Sequence, residues 1–354
     1  MYYERIAFRS VLQFRLVLVN FAEFDSNDWI MLQNIILLVL GLVFITLGAD
    51  NLVEGASRIA RRFGLSDFLI GMTIVGIGTS APEMVVSFIS AFEGNGNMAI
   101  GNIVGSNIFN ILAIVGISAL ILPISLTKSN LKHDIPAVLI STALFVVFVY
   151  SGRLSRLEGV ILLICFIAFL WYSIKSGKKN GEAESVQTEE QEAESLNEIS
   201  LLKRVTQALW FNILLVLASL ALLVFGGNMF VDSACYIAKS LGVSDAVIAA
   251  TILAGGTSLP ELATCVAAAF KKNTDMVLGN IIGSNVSNIL LILGGSALIS
   301  PLAPDGITKE YLFTMLASAI ALFISYYTFD RKKVDRMEGL IFILSYIAFI
   351  WYII

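Results

Sequence analysis

Two short strings decide the fold of this chain: Gly76-Ile-Gly-Thr-Ser-Ala-Pro-Glu83 and Ala254-Gly-Gly-Thr-Ser-Leu-Pro-Glu261. Each string places glycine, two hydroxyl side chains, a proline and one carboxylate within an apolar segment long enough to span a membrane. An ionised side chain is expensive in that environment and usually has a function. The pair of strings therefore predicts an ion-binding site inside a membrane.

The two strings belong to a longer internal repeat. The glutamates lie 178 residues apart, and the same offset relates Asp67 to Asp245, Asn102 to Asn280, Ser106 to Ser284 and Asn110 to Asn288. Each half contains five apolar runs, and an odd number of spans turns the second half over in the membrane. The sequence therefore predicts an all-α polytopic membrane protein, with ten transmembrane helices arranged as two inverted five-helix repeats.

Composition supports this class. Of the 354 residues, 57% are hydrophobic and only 14% are charged, and the mean hydropathy is +0.84. A soluble protein of this size needs more polar surface, and several apolar runs reach the length of about 20 residues that spans a bilayer. The basic residues form no patch, so nucleic acid is not an expected partner. The three cysteines have no pairing pattern and are interpreted as small apolar residues.

The chain divides into four parts. Residues 1–30 lie outside the repeat and are interpreted as an N-terminal extension, either amphipathic or preceding a true start at Met31. Residues 31–174 form the first repeat and residues 205–354 the second. Between them, residues 175–204 are rich in glutamate and are expected to be a solvated cytoplasmic linker, with a cation-binding helix as the alternative. The distribution of Lys and Arg predicts that the N-terminus is outside.

The glycines and Pro82 should interrupt the helix before Glu83, because proline removes a backbone donor and frees carbonyl groups. Downstream, Asn102, Ser106 and Asn110 recur at helical spacing on one stripe. Oxygen ligands without a His or Cys cluster suit Ca²⁺, Mg²⁺ or Na⁺. Two alternatives remain at this point: the asparagines could only join helices, and the serines of the two strings could bond to their own helix.

The paired strings, each followed by Gly101-Asn-Ile-Val-Gly-Ser-Asn-Ile-Phe-Asn110 or Gly279-Asn-Ile-Ile-Gly-Ser-Asn-Val-Ser-Asn288, resemble the two alpha-repeats of the sodium/calcium exchanger family. The resemblance covers residues 33–354. It implies a fold of ten helices in two inverted halves, with the ion site between the second, third, seventh and eighth spans.

The resemblance also implies the roles of individual residues. Glu83 and Glu261 would bind Ca²⁺ together with the backbone carbonyls of Thr79 and Thr257, and Asn110 and Asn288 would line the centre. The remaining site residues would complete two flanking Na⁺ sites, one near Gly76, Thr79, Ser106 and Glu261 and the other near Ala254, Thr257, Ser284 and Glu83. Ser80 and Ser258 are further candidate ligands. Many members of the family have an aspartate in place of Asn288.

The leading functional hypothesis is antiport of Ca²⁺ against Na⁺ by alternating access across the plasma (inner) membrane. The runner-up is antiport against H⁺, because a glutamate in a dry cavity can take a proton. A remote alternative is an intramembrane acid hydrolase with Glu83 and Glu261 as its catalytic pair. No cofactor and no protein partner are expected. The bound species would be the transported Ca²⁺ and Na⁺ (or H⁺), and the lipid bilayer would surround the protein.

Overall fold

The computed structural model describes residues 26–150, 152–192, 208–243, 254–304, 309–328 and 332–353. Most of the predicted extension, residues 1–25, lies outside this part of the chain. The first helix begins at Ser26, within the range assigned to the extension. The helix that precedes the linker continues to Glu192, so the first half of the predicted linker is helical.

The first half contains six helices. They are α1 (Ser26–Arg62), α2 (Asp67–Thr79), α3 (Ala81–Phe92), α4 (Gly96–Ile121), α5 (Asn130–Tyr150) and α6 (Arg156–Glu192). Wider π-helical turns occur within three of them, at Gly71–Val75 in α2, Asn110–Val115 in α4 and Asn130–Asp134 in α5.

The described part of the second half repeats this order. Its helices are α7 (Leu209–Ser240), α8 (Ala254–Gly256), α9 (Leu259–Phe270), α10 (Thr274–Ile299), α11 (Lys309–Ile324) and α12 (Arg336–Ile353). A π-helical turn at Asn288–Leu293 in α10 matches the one in α4.

Seven helices in the described ranges are long and apolar enough to cross a membrane, or eight if the bent pair α2–α3 counts as one span. The protein is therefore a multi-pass integral membrane protein. Two of the ten predicted spans do not meet this criterion. The seventh includes residues 244–253, which are not described. The ninth corresponds to α11, whose 16 residues are fewer than the about 17 that the shortest spanning helices contain.

Helices α4 and α10 form the buried centre, whereas few residues of α1, α6, α7 and α12 are fully buried. Glycines let α10 approach α2 closely. A Cβ atom added to Gly279 would lie 2.3 Å from the carbonyl oxygen of Phe68, and one added to Gly283 would lie 2.0 Å from that of Met72. The two backbones therefore meet directly at this crossing, as the small residues of the motif predict.

The long helices α1 and α7 pack against each other in a similar way. A Cβ atom on Gly48 would lie 3.0 Å from the carbonyl oxygen of Ser219, and one on Gly226 would lie 3.0 Å from that of Gly41. Gly48 and Gly226 occupy the same position in the two repeats. The contact between these helices is thus made by equivalent residues of both halves.

Two short backbone bridges join the halves at the ends of the bundle. Strand β1 (Ile124–Ser125) follows α4 and pairs antiparallel with β2 (Lys333–Val334), which precedes α12. Leu302 follows α10 and pairs with Leu154, which precedes α6, through hydrogen bonds of 2.7 and 3.0 Å. Each bridge thus joins equivalent segments of opposite halves.

The turn between α9 and α10 is also tied to the first half. Lys271 Nζ donates to the backbone oxygen of Asp50 at 2.6 Å and lies 3.2 Å from its carboxylate. Beside it, Asn273 Nδ2 donates to Asp67 Oδ2 at 2.6 Å. At the equivalent positions of the other repeat, Glu93 replaces Lys271 and Asn228 replaces Asp50. The equivalent residues therefore offer no ion pair.

Candidate ion-binding site

Both repeats break their helix immediately before the glutamate. In the first half the break falls at Ser80, and α2 and α3 meet there at a bend of 46°. Pro82 and Pro260 occupy the first turns of α3 and α9, where a missing backbone donor costs nothing. Glu83 and Glu261 follow in the same turns, at helix N-termini that favour a negative charge. The predicted interruption is confirmed.

The two glutamates are fully enclosed and are held by serines of the opposite repeat. Glu83 and Glu261 are 0% and 1% exposed. Ser258 Oγ donates to Glu83 Oε1 at 2.8 Å, and Ser80 Oγ donates to Glu261 Oε1 at 2.8 Å. The alternative that these serines bond to their own helix is therefore wrong. Each carboxylate depends on a donor from the other half.

Several buried polar atoms at this centre have no hydrogen-bond partner among the described residues. They include the second carboxylate oxygens of both glutamates, the amide oxygen of Asn288, and both amide atoms of Asn110. A buried acceptor without a partner is costly unless something else satisfies it. Carboxylate and amide oxygens that converge in this way suit a hard cation such as Ca²⁺ or Na⁺.

The hydroxyls of α4 and α10 contact different groups. Ser106 Oγ donates to Glu83 Oε1 at 3.4 Å, whereas Ser284 Oγ donates to the carbonyl oxygen of Gly76 at 3.0 Å. These contacts do not follow the two groups that the family resemblance implies, which combine Ser106 with Glu261 and Ser284 with Glu83. The four helices that carry these contacting groups, α2, α3, α4 and α10, nevertheless meet at the same centre.

The remaining predicted residues lie beside it. Thr79 is buried, and its hydroxyl donates to Asn280 Oδ1 at 3.3 Å and to the carbonyl oxygen of Gly76 at 3.4 Å. Thr257 is half-buried in the break before Ser258. Ala254 is the first described residue of its segment and opens the short helix α8.

A supporting layer of side chains was not predicted as part of the site. Asn102 Nδ2 donates to the backbone oxygen of Glu83 at 3.1 Å and to Ser87 Oγ at 3.0 Å. Its counterpart Asn280 donates to Cys265 Sγ at 3.2 Å. Ser87 and Cys265 share the repeat offset, which could have identified them. Cys265 is therefore a hydrogen-bond acceptor for the supporting amide, and the interpretation as an apolar residue is incomplete.

Metal sites of another kind are not evident in the described ranges, where no group of three or more His, Cys, Asp or Glu side chains could hold an ion. The centre instead combines two carboxylates with neutral oxygens at the meeting point of two broken helices. In a multi-pass membrane protein, this combination is typical of an ion-coupled transporter.

Comparison with known proteins identifies the family. The family model described as "Sodium/calcium exchanger protein" matches residues 33–175 and again residues 211–354. The chain therefore belongs to the sodium/calcium exchanger family, as the resemblance of its motifs predicts. The two matches correspond to the two repeats.

Individual relatives agree with this assignment. The chain is 34% identical to the sodium/calcium exchanger MaX1 of Methanosarcina acetivorans over 346 residues, covering 90% of this chain and 97% of that protein. It is 36% identical to the inner membrane protein YrbG of Escherichia coli over 287 residues, covering 80% and 86%. The structure matches the sodium-calcium exchanger NCX_Mj, soaked with zero Na⁺ and Ca²⁺, with a TM-score of 0.76 and 31% identity, covering 92% and 100%.

Proposed function

We propose that this protein is a secondary antiporter that exchanges Ca²⁺ for Na⁺ by alternating access. The observation that carries the proposal is the pair of buried glutamates, each with one oxygen bonded to a serine of the other repeat and one oxygen without a partner among the described residues. Membership of an exchanger family supports transport and gives no support to the hydrolase alternative.

The charge of the site explains why transport would be an exchange. Two carboxylates give a formal charge of −2, which one Ca²⁺ neutralises, as do two Na⁺. An empty site would keep both charges in a low-dielectric region, at a cost of about 2.5–3.5 kcal/mol per carboxylate on insertion scales. This penalty discourages the protein from changing sides without a bound ion.

The proposed ligands are the residues predicted from the sequence. Glu83 and Glu261 would bind Ca²⁺ with the carbonyls of Thr79 and Thr257, and the flanking and central groups would complete the Na⁺ sites. These groups are Gly76, Ser80, Ser106, Asn110, Ala254, Ser258, Ser284 and Asn288. Their support is the convergence of α2, α3, α4, α9 and α10 on one buried centre.

Ten spans in two inverted repeats remain part of the proposal. Their support is the equivalence of the two backbone bridges and of the glycine contacts between α1 and α7. Few residues of helices α1 and α7 are fully buried, and the two helices contact each other closely. Rocking of this pair against the remaining helices would open the site to one side and then to the other.

The proposed location is the plasma (inner) membrane, with the N-terminus outside and the linker in the cytoplasm. The distribution of basic residues supports this orientation. The relative YrbG is itself named an inner membrane protein, which supports the location.

Antiport against H⁺ is the second candidate, and Asn288 favours it. A neutral amide at this position leaves two formal charges at the centre, and two protons could neutralise both glutamates. The test is uptake of radiolabelled Ca²⁺ by proteoliposomes. One experiment imposes a Na⁺ gradient at clamped pH, and the other imposes a pH gradient without Na⁺. Uptake in the first alone supports the proposal, and uptake in the second alone moves the assignment to proton coupling.

A further inference from the structure

Asn107 is a buried side chain of α4 that the proposed ligand set does not include. It is 1% exposed and reaches across to α10 with both ends of its amide. Asn107 Nδ2 donates to the backbone oxygen of Asn285 at 3.2 Å. Asn107 Oδ1 accepts from Asn288 Nδ2 at 3.0 Å. It thereby links a backbone group to a proposed ion ligand.

The hydrogen-bonding groups determine which end of each amide faces its partner. A backbone carbonyl can only accept, so the nitrogen of Asn107 must face Asn285. The oxygen of Asn107 then faces Asn288, which must present its own nitrogen. The amide oxygen of Asn288 is consequently turned away from Asn107, and it is one of the buried atoms without a partner among the described residues. Its orientation is set by a group that cannot be flipped.

The equivalent residues of the other repeat do not form this arrangement. Asn285 occupies the position of Asn107, but its Nδ2 donates to the carbonyl oxygen of Ile281 in its own helix at 2.7 Å. Asn110 occupies the position of Asn288, and neither of its amide atoms has a partner in the described part of the chain. Of the two central amides, Asn288 is therefore held in one orientation and Asn110 is not.

We propose that Asn107 is a positioning residue that fixes the carbonyl of Asn288 as a preorganised ligand for the coupling cation. The inference rests on the proposed function. An amide that rotates freely can turn its NH₂ group, which carries partial positive charge, toward a cation. Holding the amide removes that arrangement and leaves only an acceptor. Such supporting residues typically change the affinity for a metal ion by 10–100-fold when they are removed.

The test uses ion-dependent thermal stabilisation of the purified full-length protein, because this readout does not require transport. Na⁺ and Ca²⁺ are titrated separately, and the concentration that gives half of the maximal rise in Tm is measured. Asn107→Leu removes both hydrogen bonds at similar volume. The matched control is Asn285→Leu, the same change at the equivalent buried position, which leaves the amide of Asn288 with its acceptor.

The expected result is a rise of about tenfold in the half-maximal Na⁺ concentration for Asn107→Leu. Asn285→Leu should stay within about twofold of the wild type. Asn288→Ala should reproduce the shift of Asn107→Leu, and the double variant should match Asn288→Ala alone, because Asn107 acts through Asn288.

Other outcomes overturn the inference. An unchanged Na⁺ curve for Asn107→Leu, an equal shift in Asn285→Leu, or an additive double variant would each do so. If Asn107→Leu does not fold, Asn107→Ala is compared with Asn285→Ala. Failure of both Asn107 variants beside folded Asn285 variants would mean that Asn107 is only structural. A wild type that does not respond to Na⁺ would instead contradict the proposed function, and the inference would fall with it.

Discussion

At the scale of single residues, the proposed site depends on two glutamates that each have one oxygen bonded to a serine and a second oxygen without a partner among the described residues. Replacing either carboxylate by an amide removes half of the charge that balances a divalent cation. We expect Glu83→Gln and Glu261→Gln each to weaken Ca²⁺ binding by about 100-fold, because a hydrogen bond or ligand contact to a charged group contributes up to about 3 kcal/mol. Both variants should remain folded, because glutamine retains an acceptor for the serine.

This prediction is checked by Ca²⁺ uptake into proteoliposomes and by Tm in the absence of Ca²⁺. Glu93→Gln, in the exposed turn between α3 and α4, is the control and should transport like the wild type. Uptake like the wild type by either site variant would rule out the proposed site.

Asn288 is a position at which the resemblance to the family implies an aspartate in many members. Asn288→Asp would make the formal charge of the centre more negative, from −2 to −3. Three Na⁺ balance a charge of −3, and one Ca²⁺ does not. We expect the variant to change the Na⁺ dependence of Ca²⁺ efflux more than the Ca²⁺ affinity, because added negative charge stabilises extra monovalent cations.

The measurement is the Na⁺ concentration dependence and Hill slope of Ca²⁺ efflux. Asn95→Asp introduces the same charge in the exposed turn before α4, where its oxygen can still accept from the backbone N–H of Met98, and serves as the control. An unchanged Na⁺ curve together with a strongly shifted Ca²⁺ affinity would argue against a role of Asn288 in ion coupling.

At the scale of elements, the crossing of α2 and α10 sets the geometry of the site. Gly283→Ala would place a methyl group 2.0 Å from the carbonyl oxygen of Met72, a backbone atom that cannot easily move. The helices would have to separate, which would lengthen the contact between Ser284 and Gly76. Overpacking of this kind typically costs about 1–3 kcal/mol, so we expect a lower Tm and weaker Ca²⁺ binding.

Gly295→Ala is the matched control on the same helix. Its added methyl group would meet the ring of Phe88, a side chain that can rotate. Thermal unfolding with and without Ca²⁺ distinguishes the two variants. Equal losses of stability would mean that the backbone crossing at Gly283 has no special role.

The sequence predicted the elements that local chemistry controls. Glycine and proline break the helix before each glutamate, and the repeat offset identifies the paired candidate ligands. The bonds from Ser80 to Glu261 and from Ser258 to Glu83 could not be predicted, because they depend on how the two halves dock. The continuation of α6 to Glu192 was also missed. Gly177 and Gly181 favour an end there, but the Lys, Glu, Ala and Gln residues around them are good helix formers, and the helix continues through both glycines.

At the scale of the whole molecule, the two backbone bridges lie at opposite ends of the bundle, and each joins the first repeat to the second. In the proposed orientation, β1 and β2 lie at the cytoplasmic end, and the bridge between Leu154 and Leu302 lies at the outer end. In a background without native cysteines, we expect Lys272→Cys, in the exposed turn between α9 and α10 that is equivalent to the turn holding Glu93, to react with a membrane-impermeant thiol reagent only after the cells are permeabilised. Glu93→Cys should react in intact cells.

The labelling of the two cysteine variants tests the inverted arrangement of the repeats separately from their orientation in the membrane. Labelling of both positions from the same side would contradict the inverted arrangement of the repeats. Labelling in the reverse pattern would preserve the arrangement and reverse its orientation.

The ion pair between Lys271 and Asp50 makes the two ends of the molecule energetically unequal. It ties α1 to the α9–α10 turn at one end, while Glu93 and Asn228 at the equivalent positions of the other repeat cannot pair as ions. Partly exposed pairs contribute up to about 1 kcal/mol, which corresponds to a roughly fivefold change in population. The ion gradients alone determine the direction of net flux, but we expect this pair to bias which side the resting protein faces.

In the proposed orientation the pair favours the form that is closed to the cytoplasm. Lys271→Gln should therefore strengthen the apparent affinity for cytoplasmic Ca²⁺ and weaken that for external Ca²⁺, by up to about fivefold each. Lys272→Gln, which removes the neighbouring charge, is the control, and both affinities are measured in vesicles of known orientation. Two affinities that move in the same direction would contradict the bias. Opposite shifts would mean that one ion pair at the end of the bundle contributes to the asymmetry at rest of a protein built from two near-equivalent halves.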